Sequence, residues 1–127
     1  MPKPEILNTG FKIDEPKLWA VDLPVEEILI SEIEYNSDIP YLEKEGTDDW
    51  NLTPLMLVKN PDAEPSHRER MDHVNLKFPI DIYRNDNFNK WIILDGVHRY
   101  SKALSLGRKT IMVRRVPEDV VKKITRE

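Results

Sequence analysis

The stretch Ile92 to Val116, I-I-L-D-G-V-H-R-Y-S-K-A-L-S-L-G-R-K-T-I-M-V-R-R-V, constrains the fold more than any other part of this chain. Trp91 to Leu94 is an unbroken apolar run that favours a strand, and Asp95-Gly96 breaks it. From Val97 the apolar residues recur at helical spacing through Tyr100, Ala103 and Leu104, so a helix starts directly after the glycine. Gly107 supplies the left-handed position that commonly closes a helix, and Thr110 to Val116 returns to β-branched character. The unit reads as strand, tight turn, helix, strand.

A strand that feeds a helix through Asp-Gly gathers unpaired backbone N–H groups and the positive end of the helix dipole at one point. Such a point attracts anions. The backbone of Gly96, Val97, His98 and Arg99 forms the turn, and the His98 and Arg99 side chains add donors in the first helical turn, a combination that suits phosphate. Lys102, one turn further on, is an additional candidate phosphate contact. Asp95 is the odd member, because a carboxylate beside an anion pocket needs a cation or a proton between them. It is a candidate magnesium ligand or general base. The alternative is an ordinary turn in which Asp95 caps the helix and Arg99 pairs with an acid elsewhere. Neither a Walker lysine-serine pair nor G-x-G-x-x-G is present.

Charge is divided along the chain. Residues 1 to 64 hold 5 Lys/Arg against 15 Asp/Glu, net -10, and residues 65 to 127 hold 14 against 8, net +6. The basic half contains the phosphate turn, and its excess of arginine and lysine is compatible with nucleic acid or a polyphosphate. Pairing with the acidic half inside one small fold is favoured, since no aromatic-rich RNA or DNA motif accompanies the basic residues. The 127 residues fit one domain, expected over 18–127 after an N-terminal arm, 1–17. Cysteine is absent, which removes disulfides, thiolate metal sites and cysteine nucleophiles. With no long apolar run and no leader-like opening, a cytoplasmic protein without a membrane segment is expected.

Along the chain, Met1 to Pro16 carries three prolines and Asn8-Thr9-Gly10 and reads as an arm. Leu18 to Leu23 predicts a first strand, and Val25 to Ile33 a short helix or an extended segment. Tyr35 to Trp50 reads as loop. Thr53-Pro54 opens a helix that Asn60-Pro61 stops, and Ser66 to Val74 forms another, with Ser66 as cap and Glu69 completing a capping box. His67 and His73 sit six residues apart, so a zinc site built from His67, His73 and His98 is disfavoured. Phe78 to Arg84 alternates as a half-buried strand, Asn85-Asp86-Asn87 turns the chain, and Lys90 to Leu94 completes a hairpin that delivers Asp95. A last helix follows Pro117, its Lys122, Lys123 and Arg126 near the C-terminal end.

D-G-V-H-R-Y followed by helix, glycine and I-M-V-R-R-V, with F-P-I-D-I-Y-R ahead of it, resembles the ParB/sulfiredoxin-like superfamily, in particular its small D-G-x-H-R branch. The resemblance is strongest from Phe78 to Val116 and extends weakly toward Leu18. It implies an α+β domain, a small mixed sheet flanked by helices, that binds nucleotide phosphates at Asp95, Gly96, His98 and Arg99. Members with D-G-x-H-R include kinases acting on a small hydroxylated substrate. In those members a glutamate from the N-terminal region helps activate the acceptor; Glu32, Glu34 and Asp38 are the candidates here, and the resemblance implies that role for Glu34 in S-E-I-E-Y-N. Sulfiredoxins carry a catalytic cysteine directly before the His-Arg pair, where this chain has Val97. Partition-type ParB proteins have G-E-R-R at this place and continue into a DNA-binding helix-turn-helix. Neither activity is expected here.

The expected function is therefore binding of a nucleoside di- or triphosphate (ATP, ADP or CTP) with Mg2+, with transfer or hydrolysis of its terminal phosphate. Asp95, His98 and Glu34 are the catalytic candidates. Two other readings stay open: a non-catalytic module in which nucleotide switches association with a partner, and a DNA-binding or nuclease-like protein. The last has little support, as no compact carboxylate cluster is evident.

Overall fold

A computed structural model describes residues 2–7 and 13–124; Asn8-Thr9-Gly10 and Arg126 lie outside them. Helix α1 (Glu15–Ala20) comes first, where Leu18 to Leu23 reads as a strand by composition. The deciding signal is the cap: Asp14 Oδ1 accepts from Lys17 N at 3.2 Å and Pro16 occupies the first turn. Strand β1 (Glu26–Leu29) follows, and a 3-10 segment, Ile30–Asp38, carries the chain away from the sheet. Helix α2 (Pro54–Lys59) starts at Thr53, whose hydroxyl accepts from Met56 N. Helix α3 (Pro65–His73) starts two residues earlier than a cap at its serine would set it. Its N-cap is Glu64, and Ser66 lies inside the first turn, donating its backbone N–H to Glu45 at 2.6 Å.

The remaining elements are β2 (Ile80–Asn85), β3 (Lys90–Asp95), α4 (Val97–Ser105), β4 (Thr110–Arg115) and α5 (Glu118–Lys123). They complete an α+β fold with a four-stranded mixed sheet in the order β1-β4-β2-β3. Strands β2 and β4 run parallel, and the two outer pairings are antiparallel. Central position changes the burial expected of β2. Its residues are covered on both faces instead of one, and Phe78, expected inside, precedes the strand and is 63% exposed.

One face of the sheet, with Ile80, Ile82, Ile93 and Val113, packs on α4 through Tyr100 and Ala103. The other face, with Tyr83 and Ile92, meets Leu7, Leu18 of α1, and Val121 and Ile124 at the C-terminal helix. Leu52, Leu57 and Met71 form a smaller cluster between α2 and α3. Buried Tyr100 joins α4 to the 3-10 segment, its hydroxyl 2.8 Å from Ser37 Oγ and 3.2 Å from the Ile33 carbonyl.

Two of the arginines of the basic half are held within the fold. Arg115 Nε donates to Glu26 at 3.0 Å, joining β4 to β1. Arg114 reaches three partners: Asp81 Oδ1 at 2.6 Å, the Val21 carbonyl at 2.6 Å and the Leu18 carbonyl at 2.9 Å. It thus neutralises a buried carboxylate on β2 and satisfies carbonyls at the C-terminal end of α1. No helix among the described residues is long and apolar enough to cross a membrane.

Candidate functional site

A β-bulge decides where Asp95 points. Strand β2 pairs Ile82 with Ile93 but Asp81 with Asp95, so Leu94 is the extra residue. Uninterrupted pairing would set Asp95 on the α4 face; the bulge returns it to the face carrying Asp81, Arg114 and α1. There the indole N–H of Trp19 donates to Asp95 Oδ2 at 2.9 Å, and Arg99 Nη2 lies 3.8 Å from the same oxygen. Two carboxylates facing each other repel, and each has its own guanidinium partner. Burial still pushes the Asp81 carboxyl upward, against the pull of Arg114, with Asp95 adding to the rise.

Gly96 is the N-cap of α4 at φ +106°, and it has no side chain to satisfy the first-turn amides. A Cβ there would stand 2.6 Å from Ile80 Cγ2 and 3.2 Å from Arg99 Nη1. The glycine therefore serves both the left-handed turn and the close passage of Arg99 across it. Arg99 is anchored by Nη1 to the Pro79 carbonyl at 2.7 Å, which fixes its position between β2 and Asp95.

The turn opens into a cleft of about 560 Å³, a volume within the range of small-molecule sites. Asp95, Gly96, Val97, His98 and Arg99 line it, with Arg70 from α3, Lys3 and Glu15 at the polar margin. Leu7, Tyr41, Leu42 and Trp50 supply apolar wall. His98 is 8% exposed, and its basicity is pushed down to about 4 by burial first, then by the charges of Arg70 and His67. Its Nε2 lies 3.0 Å from His67 Nδ1, and His67 Nε2 lies 2.6 Å from the Glu43 carbonyl.

The predicted site residues divide accordingly. Asp95, Gly96, Val97, His98 and Arg99 come together on one cleft wall. Lys102 turns away: its ammonium donates to the Asp72 and Val74 carbonyls at the end of α3. Glu34 is exposed on the 3-10 segment and is not among the residues lining the cleft. The carboxylate that the N-terminal region brings to the cleft is Glu15, in the first turn of α1. Arg70 and Trp19 are contributors that sequence reasoning passed over, and His67, weighed there only as a zinc ligand, is a third. Each comes from a distant segment, and the pairings Trp19 to Asp95 and His67 to His98 have no local periodicity to announce them.

Asp95 and Glu15 are the two carboxylates that line the cleft, and among the described residues no group of three or more His, Cys, Asp or Glu side chains is gathered to hold a metal ion. A three-histidine zinc site is not assembled, because His73 Nδ1 turns to the Glu69 carbonyl at 2.7 Å.

No protein-family model matches the chain, and no curated protein does. Among solved structures, the crystal structure of sulfiredoxin from Arabidopsis thaliana is similar over 82% of this chain and 99% of that one. Identity is 20% and the TM-score 0.37.

Proposed function

We propose that the cleft is a nucleotide site anchored on phosphate, and that the domain belongs to the D-G-x-H-R branch which its motif resembles. In this reading a nucleoside di- or triphosphate such as ATP, ADP or CTP sets its terminal phosphate against the amides of Val97, His98 and Arg99. The observation that carries the reading is the first turn of α4, capped by a residue without a side chain and opening into a cleft that Arg70 also lines. Arg70 and Arg99 balance the phosphate charge, and Asp95 and Glu15, which line the same cleft, would hold Mg2+. Bound magnesium supplies charge neutralisation at the phosphate oxygens.

Phosphate would then be transferred to a small hydroxylated acceptor or to water, a reaction that depends mainly on positioning and electrostatics. Asp95 orients the acceptor side of the cleft, and the apolar wall around Trp50 and Tyr41 excludes water from the rest.

Calorimetry on the full chain with ATP, ADP, CTP and GTP, each with magnesium, tests the reading. Wild type is expected to bind at least one of them, and Arg70→Ala and Arg99→Ala to bind about tenfold or more weakly, the worth of one charge-assisted hydrogen bond. Asp95→Asn is expected to retain nucleotide binding and lose turnover. Absence of binding by wild type, or equal affinity in wild type and both arginine variants, would overturn the assignment.

A further inference from the structure

The contact between His67 and His98 is edge to edge. Their ring planes differ by 21° and their centroids lie 5.3 Å apart, while one nitrogen of each approaches to 3.0 Å. The nitrogen contact and the two ring radii together account for nearly all of that centroid separation, so the rings meet along a lone pair instead of stacking face on face. The direction of the bond follows from its far end. A carbonyl can only accept, so the 2.6 Å contact with Glu43 O requires the proton of His67 on Nε2. Neutral His67 then offers a lone pair at Nδ1, and His98 must donate from Nε2. His98 is left with its lone pair at Nδ1.

We propose that the Glu43 carbonyl, His67 and His98 form a proton relay, in which His98 Nδ1 accepts the proton of the acceptor hydroxyl or water and His67 stores the charge. This rests on the phosphate-transfer reading and assigns its proton acceptor. In the step the acceptor O–H bond breaks and a bond from that proton to His98 Nδ1 forms. The Nε2–H bond of His98 breaks and an Nδ1–H bond on His67 forms. His67 becomes the imidazolium, donating from both nitrogens, and the acceptor oxygen is freed for attack at phosphorus. After transfer the product phosphate or bulk water takes the proton back.

Burial and the neighbouring Arg70 disfavour charge on His98. His98 is buried and faces Arg70 from α3, whereas His67 is partly exposed and the Glu45 carboxylate lies in its field. The loop that presents the Glu43 carbonyl is itself fixed to α3. Glu45 N donates to Glu64 Oε1 at 2.7 Å, and Ser66 N donates to Glu45 Oε1 at 2.6 Å. Asp95 and Arg99 line the cleft together with His98, and the relay requires an acceptor bound near the phosphate to reach His98 Nδ1. His67 is thus a positioning residue that also holds the displaced proton.

Long-range proton–nitrogen NMR of the imidazoles in the full chain tests the relay without any nucleotide. At neutral pH both rings are expected to carry their proton on Nε2; a proton on Nδ1 of either ring would overturn the proposal. His67→Gln keeps an acceptor for His98 and a donor for Glu43 but cannot store a proton. It is expected to preserve the His98 tautomer and the nucleotide affinity while lowering turnover by about 10²-fold, the usual worth of positioned proton transfer. His67→Phe is expected to release the tautomer as well. Turnover in His67→Gln equal to wild type would overturn the relay. If wild type neither binds nor turns over nucleotide, the phosphate-transfer reading fails, and the relay as the proton path of that reaction fails with it. The spectra still decide the tautomer.

Discussion

Replacing Gly96 by alanine sets a Cβ 2.6 Å from Ile80 Cγ2 and holds a substituted residue at φ +106°. Both the strain and the clash act at one position, so Gly96→Ala is expected to lower unfolding free energy by about 2 kcal/mol or more. A urea midpoint within error of wild type would mean that the turn relaxes freely. His98 makes a second prediction at this scale. Its folded value lies near 4, below the ordinary 6.5, so between those values the unfolded chain binds a proton that the folded chain refuses. Stability contributed by keeping it neutral is intact above pH 6.5 and falls as the pH drops toward 4, by up to roughly 3 kcal/mol for a shift of this size. His98→Asn should flatten that part of the stability curve relative to wild type in urea titrations at pH 7 and pH 4.5. Parallel losses in the two proteins would show that other groups govern it.

At the scale of elements, α1 reaches the site because Arg114 holds it there. Arg114 and Asp81 are almost fully shielded from solvent, and the same guanidinium holds the carbonyls of Leu18 and Val21. Arg114→Leu leaves Asp81 buried without its cation, and a loss of about 3–5 kcal/mol is expected in chemical denaturation. Adding Asp81→Asn should recover part of it, and Trp19 fluorescence should shift as the helix loosens. A loss under about 1 kcal/mol would mean the buried pair is not what keeps α1 in place. None of this was legible in the sequence. Arg114 reads as one of many basic residues, and the Leu18 to Leu23 run as a strand, because the Asp14 cap lies in a segment that looks like an arm. The β3–α4–β4 unit was legible, since an unbroken apolar run, Asp-Gly, helical periodicity and a return to β-branched residues all agree there. The bulge at Leu94 was not, because it depends on how β2 and β3 pair and leaves no mark in either strand alone.

For the whole molecule, the turn residues Asp95 to Arg99 were readable as a group because they are contiguous, and they do line one cleft. The residues facing them come from α1, α3 and the Glu43 loop, segments linked to the turn by tertiary packing alone. Glu34 and Lys102 looked suitable by residue type and nearness in sequence. Yet Lys102 closes the end of α3, and Glu34 lies on the exposed side of a 3-10 segment held by Tyr100. The acidic first half and basic second half are partly explained by their joining, as in Glu26 with Arg115 and Asp62 with Arg68.

In the proposed complex phosphate sits on the first turn of α4. The amide proton and nitrogen resonances of Gly96, Val97, His98 and Arg99, followed while magnesium and ATP or CTP are added, test it most directly. These amides are expected to move together and saturate, with the shifts lost in Arg70→Ala at the same nucleotide concentration. Shifts confined to other segments, with the Gly96 to Arg99 amides unmoved at saturation, would contradict it.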